Sequence, residues 1–188
     1  TANDWSKYFS FVATKDIHTN DAISPSNSIK ADSREKIWSI VKKVRKLLDE
    51  SNVVIPGSAD LEISHHYGLE KFYEFGLTML TVVNREYCKK LLVSLPGQKH
   101  PEQFHKQKEE TFHVLYGTVE IELDGKIKIC NPGDVVTIEP ETRHGFVSRD
   151  GAVIEEISST HFLDDSFYTD ERIAENKQRK TVLTHWMG

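Results

Sequence analysis

Two stretches of the sequence carry side chains that could bind a divalent metal ion. The first holds Gln103, His105 and Glu110, and the second ends at His144. Alternate residues of a strand share a face, so Gln103 and His105 can both point inward, and Glu110 can join them from the next strand. Two imidazoles and a carboxylate, with a side-chain amide as a fourth group, suit zinc, iron, manganese, nickel or cobalt. The sequence therefore predicts a divalent transition-metal site at Gln103, His105, Glu110 and His144.

The residues around these candidates favour short β-strands. Asp124-Gly125 separates two alternating apolar runs and predicts a tight hairpin, and Asn131-Pro132-Gly133-Asp134 predicts a second turn. The predicted strands are Leu77–Val83, Lys90–Leu95, Thr111–Tyr116, Val119–Leu123, Lys126–Cys130, Val135–Ile138, Gly145–Ser148 and Val153–Ile157. Many short strands with turns between them are typical of an all-β sandwich or barrel.

One helix and one further strand are predicted before this region. Asp32 with Glu35 resembles a capping box, and it opens a run with apolar residues at helical spacing. These apolar residues are Ile37, Ile40, Val41, Val44, Leu47 and Leu48. The stripe must pack on the β region, on a partner chain or on a neighbouring domain, and the pattern does not choose among them. Residues 9–13 predict a short strand, and the tail beyond Asp164 is expected to wrap the surface or to reach another subunit.

Composition excludes several classes of protein. The chain has 188 residues, of which 38% are hydrophobic and 28% charged, and this composition is typical of one soluble domain with extensions. A net charge of −5 disfavours a nucleic-acid partner. No apolar run is long enough for a membrane span and no secretory signal is evident, so we expect a cytoplasmic protein. The chain begins at Thr1, which is typical of a processed chain or of a piece of a longer polypeptide.

Both candidate stretches resemble the two motifs of the cupin superfamily. The matching positions are Gly97, Gln103, His105, Glu110 and Gly117 in the first motif, and Gly133, Pro140 and His144 in the second. The resemblance implies an all-β fold, a cupin double-stranded β-helix or jelly-roll barrel with an N-terminal helix and short extensions. It also implies that His105, Glu110 and His144 bind the metal.

Gln103 departs from the cupin motif, which usually has a histidine there. An amide oxygen is a weaker ligand than an imidazole, so we expect a reduced metal affinity. The alternative is a metal-free cupin in which the same residues form a polar cluster. His100 lies on the opposite face of a regular strand and could replace the missing histidine only through a bulge.

Longer strings resemble the cupin region at the C-terminal end of sialic-acid-synthase-type (N-acetylneuraminate-synthase-like) polysaccharide biosynthesis proteins. The strings are residues 63–72, 84–91, 95–102, 109–117, 155–161 and 164–170, and residues 11–17 resemble the start of an antifreeze-like (SAF) segment. This resemblance implies a sugar-related role in surface polysaccharide biosynthesis. It also suggests three segments: a 1–58 extension, a 59–172 cupin barrel and a 173–188 tail.

Cupins of related appearance include sugar isomerases of the D-lyxose isomerase type, in which a divalent metal holds adjacent sugar oxygens while a carboxylate moves a proton. Strand alternation places either Glu155 or Glu156 inside as that carboxylate, and Lys90 (or Lys89) is the candidate for stabilising an oxyanion. We therefore expect a metal-binding cupin that binds a small-molecule sugar, with isomerase or epimerase activity toward that sugar as one possible function. We also expect the protein to form a homodimer. The rival hypotheses are a non-catalytic sugar-binding or dimerisation module and a non-haem iron dioxygenase.

Overall fold

A computed structural model describes residues 11–12, 31–184 and 186 of the chain. The strands are β1 (Phe11–Val12), β2 (Asp60–His65), β3 (Gly76–Asn84), β4 (Tyr87–Ser94), β5 (Lys99–Phe104), β6 (Glu110–Tyr116), β7 (Val119–Leu123), β8 (Lys126–Cys130), β9 (Val135–Ile138), β10 (His144–Val147), β11 (Ala152–Ser159), β12 (Phe167–Tyr168) and β13 (Lys180–Leu183). The helices are α1 (Ala31–Ser51), α2 (Phe72–Phe75) and α3 (Glu171–Ala174), with a 3-10 turn at Leu69–Lys71.

The strands form two antiparallel sheets, as expected for a cupin jelly roll. The larger sheet has the order β1-β13-β2-β3-β4-β11-β6-β9, and the smaller has the order β12-β5-β10-β7-β8. One apolar cluster lies between the sheets and includes Leu92, Phe112, Ile121 and Phe146. This core holds the two sheets face to face, and the polar candidates lie in the same interior.

Helix α1 covers the other face of the larger sheet. Its six apolar stripe residues are all buried, and they share a cluster with Leu61 and Ile63 of β2, Leu80 of β3 and Val93 of β4. The stripe therefore packs on the β region of its own chain, which was one of the three possibilities left open by the sequence. The homodimer stays a prediction.

The predicted hairpins and strands agree closely with the structure between residues 110 and 138. Strands β7, β8 and β9 have the predicted bounds, and Asp124 and Gly125 take φ values of 46° and 77° in the turn between β7 and β8. Gly117 has a φ of 77°, and a Cβ there would lie 2.1 Å from the carbonyl oxygen of Gly151. Only glycine fits this position, which accounts for the glycine at the end of the first motif.

Sequence reasoning missed several structural features outside that region. Strands β2 and β13 were not predicted, and neither were the short strand β12, the 3-10 turn and the short helices α2 and α3. Strand β13 pairs with β2, with Lys180 opposite Ser64. The tail thus adds a strand to the larger sheet, and Trp186 beyond it is buried and donates its Nε1–H to Ala59 O at 2.8 Å.

The N-terminal predictions lie mostly outside the described residues. Of the strand predicted at 9–13, the structure describes Phe11–Val12, which pairs with Leu183 and Val182 of β13. The other residues of the SAF-like segment, 13–17, lie outside the described part. Among the residues described, no helix has the length and apolar character that a bilayer crossing requires.

Candidate metal centre

The four metal-ligand candidates meet between the two sheets. Gln103 lies near the end of β5, His105 follows that strand, Glu110 begins β6, and His144 begins β10. Strands β5 and β10 belong to the smaller sheet and β6 to the larger, so the carboxylate faces the imidazoles across the interior. All four side chains are buried.

Three of these residues present one ligand atom each to a common point. The candidate ligand atoms of His105, Glu110 and His144 all lie within 4.8 Å of one another. His144 Nε2 is 2.8 Å from Glu110 Oε1, and His105 Nε2 is 3.6 Å from the same oxygen. This spacing is compatible with three ligands of a single ion.

Backbone carbonyls fix the orientation of both imidazoles. His105 Nδ1 lies 2.5 Å from Asp165 O, and His144 Nδ1 lies 3.0 Å from Thr142 O. When each ring donates its Nδ1–H to the carbonyl, the lone pair on Nε2 points toward Glu110. The same arrangement orients the histidine ligands of protein metal sites.

Unpartnered buried atoms provide the test of whether a cation fits. His105 Nε2, Glu110 Oε1 and Gln103 Oε1 are all buried without a hydrogen-bond partner. Acceptors that face one another without a donor are costly to bury, and a metal ion relieves that cost. The donor set of two imidazoles and a carboxylate therefore fits a divalent transition metal.

Gln103 lies beside this set as a fourth polar group. Its Nε2 is 3.5 Å from His144 Nε2. A half-turn of the amide exchanges the positions of its nitrogen and oxygen, which would direct Oε1 toward the imidazole ligands. The geometry is thus compatible with Gln103 as an outer or fourth ligand, in the place where the cupin motif has a histidine.

His100 also reaches the interior, by means of a bulge. His144 pairs with Gln103 and Phe146 pairs with His100. The two paired positions are two residues apart on β10 but three residues apart on β5, so β5 contains one extra residue. The extra residue on β5 brings His100 to the same side as Gln103. His100 stacks on Phe146 at 4.9 Å between ring centroids, which gives it a packing role outside the three-ligand cluster.

A buried lysine compensates the charge of Glu110. Lys108 Nζ lies 2.5 Å from Glu110 Oε2 and 2.9 Å from Glu156 Oε1. Burial by itself would raise the pKa of Glu110, but the positive charge of Lys108 outweighs burial and holds that pKa well below its usual range. Burial likewise opposes the charged form of His144, yet the nearby carboxylate of Glu110 raises the pKa of the imidazole.

Asp165 holds the segment that carries His105 and Lys108. Its carboxylate accepts hydrogen bonds from the backbone N–H of Lys106, Gln107 and Lys108, at 2.9 to 3.3 Å. Its own carbonyl accepts the bond from His105 described above. Asp165 is therefore a positioning residue for the site, and nothing in its local sequence pattern distinguishes it from an ordinary surface acid.

The candidate acid–base residues separate onto two faces of β11. Glu156 is buried in the interior, where Oε1 accepts a bond from Lys108 and lies 3.2 Å from Ser158 Oγ. Glu155 lies on the opposite face, where it contacts Lys89 Nζ at 2.7 Å and His113 Nδ1 at 3.1 Å. Lys90 shares the interior with Glu156, with 3.9 Å between Nζ and Oε1.

A cavity opens beside the metal-ligand cluster. Its wall includes Gln103, His105, Glu110, Glu156 and Lys90. Sequence reasoning did not single out five further wall residues as part of a site: Ser64, Lys108, Tyr168, Arg179 and Lys180. Ser64, Tyr168, Arg179 and Lys180 come from segments distant along the chain, so a single sequence could not place them at the site. Lys108 lies two residues before Glu110, inside the first motif.

His65 and His66 lie behind this wall. His66 Nδ1 is 2.5 Å from Phe75 O, and its Nε2 is 2.9 Å from the hydroxyl of Tyr168. His65 Nε2 is 3.1 Å from Thr181 Oγ1. Both rings thus have hydrogen-bonding partners outside the metal-ligand cluster.

Comparison with known proteins gives one family match and several relatives. Residues 91–155 match the cupin domain family. A "D-lyxose/D-mannose isomerase" of Thermosediminibacter oceani is 31% identical over 172 residues, which cover 74% of this chain and 94% of the relative. A "D-lyxose ketol-isomerase" of Thermofilum sp. is 28% identical over 171 residues, covering 75% and 95%.

Solved structures of similar fold include the L-ribose isomerase of Cellulomonas parahominis with L-psicose. It has a TM-score of 0.64 at 14% identity and covers 78% of this chain and 96% of that one. The resemblance to cupins is thereby confirmed. The comparisons do not support the narrower resemblance to sialic-acid-synthase-type proteins.

Proposed function

This chain belongs to the cupin family of the D-lyxose/D-mannose isomerase of Thermosediminibacter oceani, and we propose that it is a metal-dependent sugar isomerase that interconverts an aldose and a ketose. The relatives' names support a sugar as the substrate. The surface-polysaccharide setting inferred from the sialic-acid-synthase resemblance is not needed for this proposal.

One observation carries the proposal: a metal-binding cluster and a separate buried carboxylate share a single cavity. His105, Glu110 and His144 face one point, and Glu156 lies on the neighbouring strand of the same wall. Strand β11 pairs with β6, with Ser158 opposite Glu110 and Glu156 opposite Phe112. An isomerase needs these two elements together, because one holds the substrate oxygens while the other moves a proton between adjacent carbons.

When a divalent metal is bound at His105, Glu110 and His144, it supplies Lewis-acid polarisation of the substrate oxygens. Glu156 is the base in this proposal: it takes the proton from the hydroxyl-bearing carbon next to the carbonyl and returns it to the former carbonyl carbon. The proton of that hydroxyl group moves to the former carbonyl oxygen, so that the two carbons exchange their oxidation states. The contacts found for its carboxylate all use Oε1. Oε2 is therefore the oxygen that these contacts leave for the substrate.

Lys90 and Lys108 surround this base with positive charge. Lys108 donates to both Glu110 and Glu156, which fixes the two carboxylates relative to each other. Lys90 is 4% exposed, and its Nζ lies beyond hydrogen-bond distance from Glu156. Its ammonium is thus placed to donate to a substrate oxygen on which negative charge develops.

The test is hydrogen exchange at the carbon next to the carbonyl. The protein would be loaded separately with manganese, zinc, nickel or iron and incubated with D-lyxose and D-mannose in deuterated buffer. We expect product ketose and deuterium at that carbon, both detected by NMR, with at least one of the metals.

The two rival functions predict different results in this experiment. A non-catalytic sugar-binding module would bind a sugar in calorimetry and show neither product nor exchange with any metal. A non-haem iron dioxygenase would consume oxygen only with iron and give no ketose. Either result would overturn the isomerase proposal.

A further inference from the structure

Four cationic side chains line the cavity. Lys90, Lys108, Arg179 and Lys180 all contribute to its wall, whereas the acidic side chains of the wall are Glu110 and Glu156. A neutral sugar offers only hydroxyl and carbonyl groups, which do not call for several positive charges. The positive charge of the wall therefore favours a substrate that carries a negative charge.

The acidic groups nearby account for only part of this charge. Lys108 engages both Glu110 and Glu156, and Lys180 pairs with Glu62 at 2.9 Å. Lys90 is buried, and its one acidic partner within 4 Å among the described residues is Glu156, at 3.9 Å, whose carboxylate Lys108 already engages. Among the described residues, no carboxylate lies within 4 Å of the guanidinium of Arg179, which stacks 5.0 Å from the ring centre of Tyr168.

Arg179 and Lys180 lie at the end of the cavity remote from Glu110. In the larger sheet the strands run β13, β2, β3, β4, β11 and β6. Glu110 is on β6 and Glu156 on β11, whereas Lys180 begins β13 and Arg179 precedes it. Lys90 on β4 lies between these two groups. A substrate with its reacting carbons near Glu110 and Glu156 would extend its other end toward Lys90, Arg179 and Lys180.

The effect of these charges is visible at a fifth wall residue. Burial first, and then the positive charges of Lys90, Lys108 and Lys180, lower the pKa of His161. His161 is therefore neutral at neutral pH and adds no charge to the wall. The lysines that contribute to this shift would attract an anion in the cavity.

Given the sugar isomerase activity proposed above, we infer that the substrate carries an oxyanion, a phosphate or a carboxylate, at the end remote from its carbonyl, and that Arg179 binds this group with help from Lys180 and Lys90. Arginine suits this role because its planar guanidinium donates two parallel hydrogen bonds to a phosphate or carboxylate. Arg179 and Lys180 lie in the segment beyond residue 172, so this chain's tail would determine its substrate class.

The test compares three sugars that share one carbon skeleton. D-Mannose, D-mannose 6-phosphate and D-mannuronate would be titrated into the metal-loaded full-length protein by calorimetry. We expect at least one of the two anionic sugars to bind about tenfold or more tightly than D-mannose. This preference should shrink when the salt concentration is raised, because ions screen the attraction. The comparison of D-mannose 6-phosphate with D-mannuronate identifies whether the site prefers a phosphate or a carboxylate.

Two variants locate the binding group. Arg179→Gln should lose about tenfold in affinity for the preferred anionic sugar and much less in affinity for D-mannose. Arg179→Lys should restore part of the loss. The matched control is Lys177→Gln, which removes the same charge from an exposed residue two positions away and should change neither affinity. Circular dichroism would verify that each variant is folded, and the salt dependence of the wild type gives an independent readout.

The outcomes separate this inference from the proposed function. Equal affinity for all three sugars, with exchange of D-mannose, would overturn the anion-binding role of Arg179 and leave the isomerase in place. Tight binding of an anionic sugar without exchange of any sugar would support the anion-binding role and refute the isomerase. Absence of binding by all three sugars would overturn both.

Discussion

His144 Nε2 lies 2.8 Å from Glu110 Oε1, although the two residues belong to different sheets. His105 Nε2 lies 3.6 Å from the same oxygen, so three candidate ligand atoms face one point between the sheets. With both Nδ1 atoms facing carbonyl oxygens, the two imidazoles can offer only Nε2 to an ion. Metal binding at this point would therefore tie the two sheets together.

The first prediction concerns metal content. Purified wild-type protein should carry close to one transition-metal ion per chain, and His105→Ala or His144→Ala should retain less than about a tenth of it, because each change removes one of three strong ligands. Elemental analysis by mass spectrometry measures this directly. His113→Ala is the control, since that ring contacts Glu155 on the outer face. Full metal content in both ligand variants would exclude the site.

The second prediction concerns Gln103. Gln103→His should tighten metal binding by about tenfold or more, because an imidazole is a better ligand than an amide for a borderline metal. Competition with a coloured chelator gives the two affinities. Gln107→His adds an imidazole at an exposed position of the same segment and should not alter the affinity. Weaker binding in Gln103→His would place residue 103 outside the coordination shell.

The ligand cluster could be predicted from sequence because its members come from two short motifs with fixed spacing. In the structure, the pairing of β10 with β5 brings His144 opposite Gln103. The choice between Glu155 and Glu156 could not be made from alternation alone, because the inward parity of β11 depends on its pairing with β6. That pairing includes a register shift between Val153 and Ile154.

The far wall of the cavity could not be predicted for a different reason. Arg179 and Lys180 enter the site because β13 pairs with β2, more than a hundred residues earlier in the chain. In β2, Leu61 and Ile63 alternate with polar residues, a pattern that is typical of a strand. The residues of β13, by contrast, do not indicate which strand they pair with. The role of Asp165 could not be predicted either, because it depends on contacts with the loop at residues 106–108, which is distant along the chain.

The third prediction tests Asp165 as a positioning residue. Asp165→Ala removes the carboxylate that accepts the backbone N–H groups of residues 106–108, so the segment between His105 and Lys108 should lose its fixed shape. We expect metal affinity to fall about 10- to 100-fold, as for other residues that orient ligands. Asp164→Ala, at the exposed neighbouring position, is the control. An unchanged metal affinity, measured by chelator competition, would show that Asp165 does not position the site.

The fourth prediction concerns stability in acid. Burial lowers the pKa of His66 from 6.5 to about 4, so the folded state keeps this ring neutral while the unfolded chain takes up a proton below pH 6.5. Stability from this group is therefore complete above pH 6.5 and is lost as the pH falls toward 4. Between pH 7 and 5 the loss should be about 2 kcal/mol in the free energy of unfolding.

Urea denaturation of the wild type at pH 7 and pH 5 measures this loss. His66→Gln removes the titrating ring and should reduce the difference between the two pH values, even if it lowers stability at both. His113→Gln, on the outer face, should leave the difference unchanged. If His66→Gln showed the full wild-type difference, the acid sensitivity would come from other groups, such as His100, whose pKa burial also lowers.

The fifth prediction distinguishes the two adjacent glutamates of β11. Glu156 lies in the cavity with Lys108 and Lys90, so Glu156→Gln should abolish proton transfer while it keeps the size of the side chain. We expect the rate of deuterium exchange at the carbon next to the carbonyl to fall by about 10²- to 10⁴-fold, because an amide cannot accept the proton. Metal content should stay at the wild-type value, since Glu156 is outside the three-ligand cluster.

Glu155→Gln is the matched control for this experiment, because it makes the same change one residue away on the outer face. Its carboxylate contacts Lys89 and His113, and neither of these residues belongs to the cavity wall. Exchange should therefore continue at close to the wild-type rate. The reverse result, with Glu155→Gln inactive and Glu156→Gln active, would mean that the reaction takes place on the outer face of β11. It would separate catalysis from the metal cluster, and the mechanism proposed for this cavity would fail.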